Sequence, residues 1–162
     1  MKPTGQWTWR VHDRNGLLVA EQKFPNGATI VGLNDVLSCY FVGGAQRIAW
    51  YLGLIDNTGF VTLSASDSMA SHPGWTENTS YAGNRQQWLP NAPAGGLTIN
   101  ANPASFTMSS GGIIRGSFIV SDPVKGVGNG ILYATGLGAQ PQQVSVGQVL
   151  TVTYSPILQL GN

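Results

Sequence analysis

The chain has 162 residues, enough for one domain that buries its own core without disulfide or metal staples. Only 9% of the residues are charged and the formal net charge is +1, whereas an average soluble protein is charged at about a quarter of its positions. This balance excludes the broad basic footprint of a nucleic-acid binder, and no apolar run approaches transmembrane length. Neutral Gly, Ser, Thr, Asn and Gln fill the places of charges, which suits turns and sheet faces. The single Cys39 excludes an intrachain disulfide and a cysteine-rich metal site. With no His or Lys beside it in sequence, it reads as a small buried apolar side chain. The start MKPTGQWTWRV lacks the apolar run of a signal peptide, so the expectation is synthesis and folding in a cytoplasm.

The first local signal is a β-hairpin over residues 7–24. Asn15-Gly16 is a favoured two-residue turn. A hairpin closed there sets Trp7 opposite Phe24, Trp9 opposite Gln22, Val11 opposite Ala20 and Asp13 opposite Leu18. Arg10 then faces Glu21, and His12 faces Val19. Trp7, Trp9, Val11, Leu18, Ala20 and Phe24 share one apolar face, and charged pairs line the other. A two-stranded unit is not stable alone, so this face must rest on something. Two readings follow: an outer hairpin of the main sandwich, or an arm that docks on a neighbour. The second makes residues 1–25 an arm on a domain of residues 26–162, with Trp7, Trp9, Val11, Leu18 and Phe24 as its contact with another subunit or a larger assembly.

Pro25-Asn26-Gly27 reads as a break before a helix. Ile30, Leu33, Leu37, Tyr40 and Phe41 recur at helical spacing within Thr29–Phe41, opposite Asn34, Asp35 and Ser38. Gly43-Gly44 stops this helix, because Gly readily takes the left-handed conformation of a helix end. Arg47–Ile55 is apolar on both faces, with Trp50, Leu52 and Leu54 on one and Tyr51, Gly53 and Ile55 on the other. Such a strand lies inside a sheet covered on both sides, and the helix packed beside it is the expected core. Asp56-Asn57-Thr58-Gly59 ends the strand.

Residues 60–90 read as irregular, with a short helical turn over Leu63–Met69 and extended pieces around Trp75, Tyr81 and Trp88. The second half is strand after strand: Leu97–Asn100, Ser105–Met108, Ile113–Ser121, Gly130–Thr135, Gln142–Val146 and Gln148–Tyr154, with Pro156 ending the last. Many short alternating strands separated by Gly, Pro and Asn predict a mainly-β chain, a jelly-roll-like antiparallel β-sandwich with one helix and an N-terminal hairpin.

Catalytic chemistry has little to work with. Asp67, His72 and Glu77 are the one set that could hold a metal or act as acid and base, but they lack any HxH or HExxH spacing. Asp67 before Ser68-Met69-Ala70 reads better as a local turn residue. There is no GxSxG motif, and the glycines of 126–130 and 136–138 lack the context of a phosphate loop. No catalytic residue, metal or cofactor is expected. Trp75, Tyr81 and Trp88 could form a sugar-stacking platform, although large aromatics in a sandwich more often lie in a core or interface.

The segments TIVGLNDVL, AWYLGLID and DSMASHPGWTENTSYAGNRQQWLP, followed by GSFIVSD and VLTVTY, resemble a family of small proteins of tailed bacteriophages and prophages. The resemblance spans about residues 26–155 and is most specific over Asp67–Tyr81. It implies a jelly-roll capsid decoration (cement) protein: non-enzymatic, located on the capsid exterior of a virion, and bound to the major capsid protein. The alternative within the same setting is a head-fibre or tail-tip module that binds a receptor or glycan through Trp75, Tyr81 and Trp88. Neither nucleic acid nor membrane is an expected partner. A homo-oligomer, most simply a homodimer, is expected, because a β-rich chain with few charges has little else with which to protect its strand edges.

Overall fold

In the computed structural model, which describes residues 2–159 and the side chains of residues 5–157, period-2 alternation produces one long antiparallel sheet. Among the described residues the elements are β1 (Lys2–His12), β2 (Leu18–Ala28), α1 (Ile30–Phe41), β3 (Trp50–Asp56), β4 (Glu77–Asn78), β5 (Gln86–Trp88), β6 (Ala104–Thr107), β7 (Gly112–Val120), β8 (Leu132–Val144) and β9 (Val149–Gln159). The sheet order is β4-β3-β7-β8-β2-β1-β9-β6, with β5 also pairing β3. The sheet curls on itself. β2 makes the bend, pairing β1 through Pro25 and then β8 over Asn26–Ala28. Across the interior, Trp9 Nε1 on β1 donates to Ser117 Oγ on β7 at 2.8 Å. The expected mainly-β, sandwich-like class with one helix is what the chain forms.

The N-terminal hairpin is a correction to the arm reading. β1 pairs β9 from Lys2 to His12 while its other edge pairs β2, so it is an interior strand of the sheet. Trp7, Trp9, Val11 and Phe24 are each at most 3% exposed and lie in the main core with Leu52, Phe106, Leu150 and Val152. No boundary divides residues 1–25 from 26–162. The local pattern located the apolar face correctly, but β9, which completes the wall, lies more than a hundred residues away in sequence. The register holds from Trp7↔Phe24 to Val11↔Ala20, then a bulge sets His12 against Leu18. The turn is therefore longer than Asn15-Gly16. Asp13 Oδ1 accepts from the amides of Asn15 (2.8 Å) and Leu17 (2.9 Å), and Leu18 swings to 48% exposure.

Three prolines lie inside strands that they were expected to delimit. Pro25 sits where β2 changes partner, Pro141 between two runs of β7–β8 pairing, and Pro156 beyond the last β6–β9 pair. Pro25 and Pro141 fall where one side of the ladder has no partner to lose, whereas Pro156 lies between β1 and the 97–98 segment, its carbonyl accepting from the Thr98 amide at 3.4 Å. Gly130–Thr135 and Gln142–Val146 thus merge into β8, and β9 continues past Pro156 to Gln159.

β3 is buried on both faces, as its sequence predicts. Leu52 and Leu54 enter the main core, and Ile55 joins a second core of Met69, Trp75, Phe118, Val120 and Leu132 beneath the 60–76 connection. At Gly53 a Cβ would lie 2.2 Å from the Phe118 ring, so no larger residue fits. Leu63–Met69 forms turns without a helix.

The helix begins and ends where expected. Thr29 caps it: its Oγ1 accepts from the Gly32 amide at 3.0 Å and donates to the Leu132 carbonyl. At the other end Gly43 has φ 73° and the amides of Val42 and Gly44 return to the Ser38 carbonyl. Because the cap also ties α1 to β8, Thr29→Ala is expected to lower stability by about 1–2 kcal/mol. Urea unfolding should show this as a lower midpoint with an unchanged slope.

Candidate functional site

Helical spacing predicts that the stripe Ile30, Leu33, Leu37, Tyr40 and Phe41 is buried. The structure turns it outward. Tyr40 is 84% exposed, Phe41 78%, and Ile30 and Leu37 about half, while Leu33 is half-buried; Val42, 80% exposed, follows at the helix end. Gly32 is the helix's one buried residue, and a Cβ there would meet the Tyr133 backbone within 2.6 Å. Lacking a side chain, it lets the helix backbone lie directly on β8. The polar side then fastens the helix. Asp35 Oδ1 accepts from Arg47 Nη2 at 2.9 Å and Nε at 3.0 Å, and the Cys39 Sγ approaches the Ala45 carbonyl at 3.2 Å. Cys39 is therefore half-buried at the helix foot, not sunk in a core.

The exposed stripe is large for a single chain. An aromatic side chain presents about 150–250 Å², so Tyr40 and Phe41 alone leave roughly 250–400 Å² of surface in water. That already matches the largest apolar patch of a typical monomer. Beside the stripe opens a pocket of about 160 Å³ lined by Val36, Trp50, Trp88, Tyr133, Tyr154 and Pro156. Two of its polar groups are turned to internal partners: Asn26 Nδ2 donates to the Tyr154 hydroxyl at 2.9 Å, and Trp88 Nε1 donates to Asn100 Oδ1 at 2.8 Å. Burial pushes the Tyr133 and Tyr154 phenols above their ordinary value. The pocket therefore presents uncharged, mostly aromatic walls.

The residues singled out from sequence go elsewhere. Trp7 stacks on Tyr154 with ring centroids 4.2 Å apart, and Trp9 meets Phe24 edge-on at 4.8 Å, so neither can anchor a neighbour. Trp75, Tyr81 and Trp88 are 2%, 1% and 9% exposed and divide between two cores. A sugar platform needs ring faces open on one surface, and these three do not supply them. Val11 is core, and Leu18 is exposed with Leu17 and Val19 beside the hairpin turn.

Asp67 and His72 both meet Trp75, and His72 and Glu77 line one pocket, but each is engaged in holding the fold. Asp67 Oδ2 accepts from Trp75 Nε1 and the Ser64 amide, both at 2.9 Å. His72 stacks on Trp75 at 3.9 Å, and its Nδ1 lies 2.8 Å from the Trp75 carbonyl. A carbonyl only accepts, so Nδ1 carries the proton there. Glu77 receives Arg85 Nε and Nη2 at 2.9 and 2.8 Å, and the Gly126 amide at 2.7 Å. Among the described residues no three His, Cys, Asp or Glu side chains are placed to share a metal ion, and no helix is long and apolar enough to cross a membrane.

The surface best suited to a function is thus the outward stripe of α1 with its neighbouring pocket. No protein-family model matches the chain, and no curated protein matches it.

Proposed function

We propose that the protein is a non-enzymatic structural component of a phage particle, a decoration protein that binds the outside of the capsid and stabilises it. The observation that supports this reading is the outward stripe of α1. A helix that turns its apolar side to solvent while its polar side grips the body is suited to a protein neighbour, and a capsid lattice supplies neighbours at fixed spacing. The first three stripe residues, Ile30, Leu33 and Leu37, lie within TIVGLNDVL, one of the segments that resemble the phage family, and low charge suits dense packing on a shell. The major capsid protein is the partner that this reading names. Trp7, Trp9, Val11 and Phe24 offer such a neighbour no surface, since they are core, and Leu18 alone of the expected contact residues is exposed. The tail-tip or glycan-binding alternative loses its aromatic site for the same reason.

Labelled antibody on purified virions, viewed by electron microscopy, tests the proposal. The expected result is an icosahedral array over the head. Label confined to the tail, or absent from the particle, would overturn it.

A further inference from the structure

We propose that the α1 stripe is the interface of a homodimer, in which the stripe of one copy packs across the same stripe of a second. The inference concerns the protein before it meets any particle, so it stands apart from the decoration reading.

Spacing is the first argument. Ile30, Leu33, Leu37 and Tyr40 follow each other at intervals of 3, 4 and 3 residues, the apolar repeat by which two helices interlock side chains. A two-fold axis through the middle of the stripe sets Leu33 and Leu37 nearest their counterparts and Ile30 toward Tyr40 of the other copy, so one surface serves both partners. Charge is the second argument. The stripe carries no ionisable side chain other than the Tyr40 phenol, and the nearby Asp35 and Arg47 neutralise each other. Copies can therefore approach without like-charge repulsion, whereas a strongly charged partner would find nothing to pair with.

Area is the third argument. Adding Ile30, Leu37 and Val42 to the two aromatics brings the patch toward the roughly 800 Å² that each partner of a standard interface contributes. The pocket strengthens the choice of a second copy. Its volume of about 160 Å³ is close to that of an apolar cavity that takes up benzene, so it suits one aromatic or branched side chain. Val36, at its mouth, lies one helical turn from Tyr40 and on the same side. Each copy thus offers projecting side chains in Tyr40 and Phe41 and an apolar socket beside the stripe. Anchors seated in pockets are where binding energy concentrates.

Sedimentation equilibrium of the full chain in the micromolar range, without capsids, tests the proposal. The wild type is expected to be a dimer whose association depends little on salt, since no charge pair is central to it. Leu37→Glu places like charges near the two-fold axis and is expected to weaken association at least about a hundredfold. Its circular dichroism should match that of the wild type at the same protein concentration, because Leu37 is half-exposed in the monomer. A second measurement avoids dependence on that variant. Leu37→Cys in a Cys39→Ala background, mildly oxidised, is expected to give a covalent dimer at low concentration. A monomeric wild type without cross-linking overturns the inference, as does a Leu37→Glu protein that remains dimeric. Pelleting with capsids separates the two proposals. A monomeric wild type that loses capsid binding on Leu37→Glu assigns the stripe to the capsid and overturns the homodimer. A dimeric wild type that does not pellet leaves the homodimer standing and counts against decoration.

Discussion

Removing residues 1–25 is expected to leave a chain that does not fold. Residues 1–25 hold all of β1 and most of β2, so their loss strips β9 of one partner and leaves β8 only the Asn26–Ala28 end of β2. Four large buried side chains go with them: Trp7, Trp9 and Val11 from β1 and Phe24 from β2. At roughly 1.5–3 kcal/mol for each large apolar side chain, the loss rivals the whole 5–15 kcal/mol by which a domain of this size is stable. The tryptophans also occupy sites shaped for them. A Cβ at Gly136 would meet the Trp7 ring at 2.3 Å, and one at Gly138 would meet the Trp9 ring at 2.9 Å, so β8 is hollowed where the two rings press on it. In the full chain, Trp9→Ala is expected to cost about 3–5 kcal/mol. Trp9→Phe keeps most of the packing and leaves Ser117 Oγ without its donor, costing less. Urea unfolding followed by circular dichroism measures all three. A fragment of residues 26–162 with a cooperative transition near that of the full chain would show that the hairpin is dispensable after all.

Much of this fold was legible locally. The helix bounds follow from Thr29 and Gly43, the two-sided burial of β3 from its unbroken apolar run, and most of the hairpin register from the Trp7-to-Phe24 pairing. What failed shares one physical origin: local pattern specifies that a face is apolar, not what covers it. The hairpin face and the α1 stripe looked equally in need of a partner. The first is met by β9 and the far wall of the sandwich, the second by nothing within the described residues. The one hint at the helix orientation was Gly32, since a glycine inside a helix lowers its propensity and marks a close backbone approach. That put the buried side opposite to the apolar stripe. The prolines misled for a related reason, because whether a strand tolerates one depends on whether a partner lies on that side. Trp75, Tyr81 and Trp88 lie in an irregular segment where no periodicity separates core from surface. Asp67 was legible as a turn residue, but the parts played by His72, Glu77 and Arg85 were not.

Replacing Arg85 with Ala is expected to be the most damaging polar substitution in the chain, at about 3–5 kcal/mol. The Arg85 side chain is fully buried, and its guanidinium grips both oxygens of Glu77, itself 6% exposed. It also donates to the carbonyls of Asp122 (3.1 Å) and Val127 (2.9 Å) and lies 5.4 Å from the centroid of the Phe118 ring. One cation thus ties the 77–85 connection to the 122–127 loop and caps the second core. Truncating it strands the Glu77 carboxylate with the Gly126 amide as its remaining partner, a buried charge without its counter-charge. Glu77→Gln should be nearly as harmful, since its amide NH₂ must face donors. Removing both charges together, as Arg85→Met with Glu77→Leu, should cost much less than the sum of the single changes, because no charge is then left unpaired. The exposed pair Arg10–Glu21 is the control: Arg10→Ala should leave the urea midpoint almost unmoved, water and salt already screening that contact. Limited proteolysis adds a local reading, with cleavage within 122–127 expected to rise in the single variants before global unfolding. If Arg85→Ala costs no more than Arg10→Ala, the loop is held by its backbone alone and the pair is incidental to it.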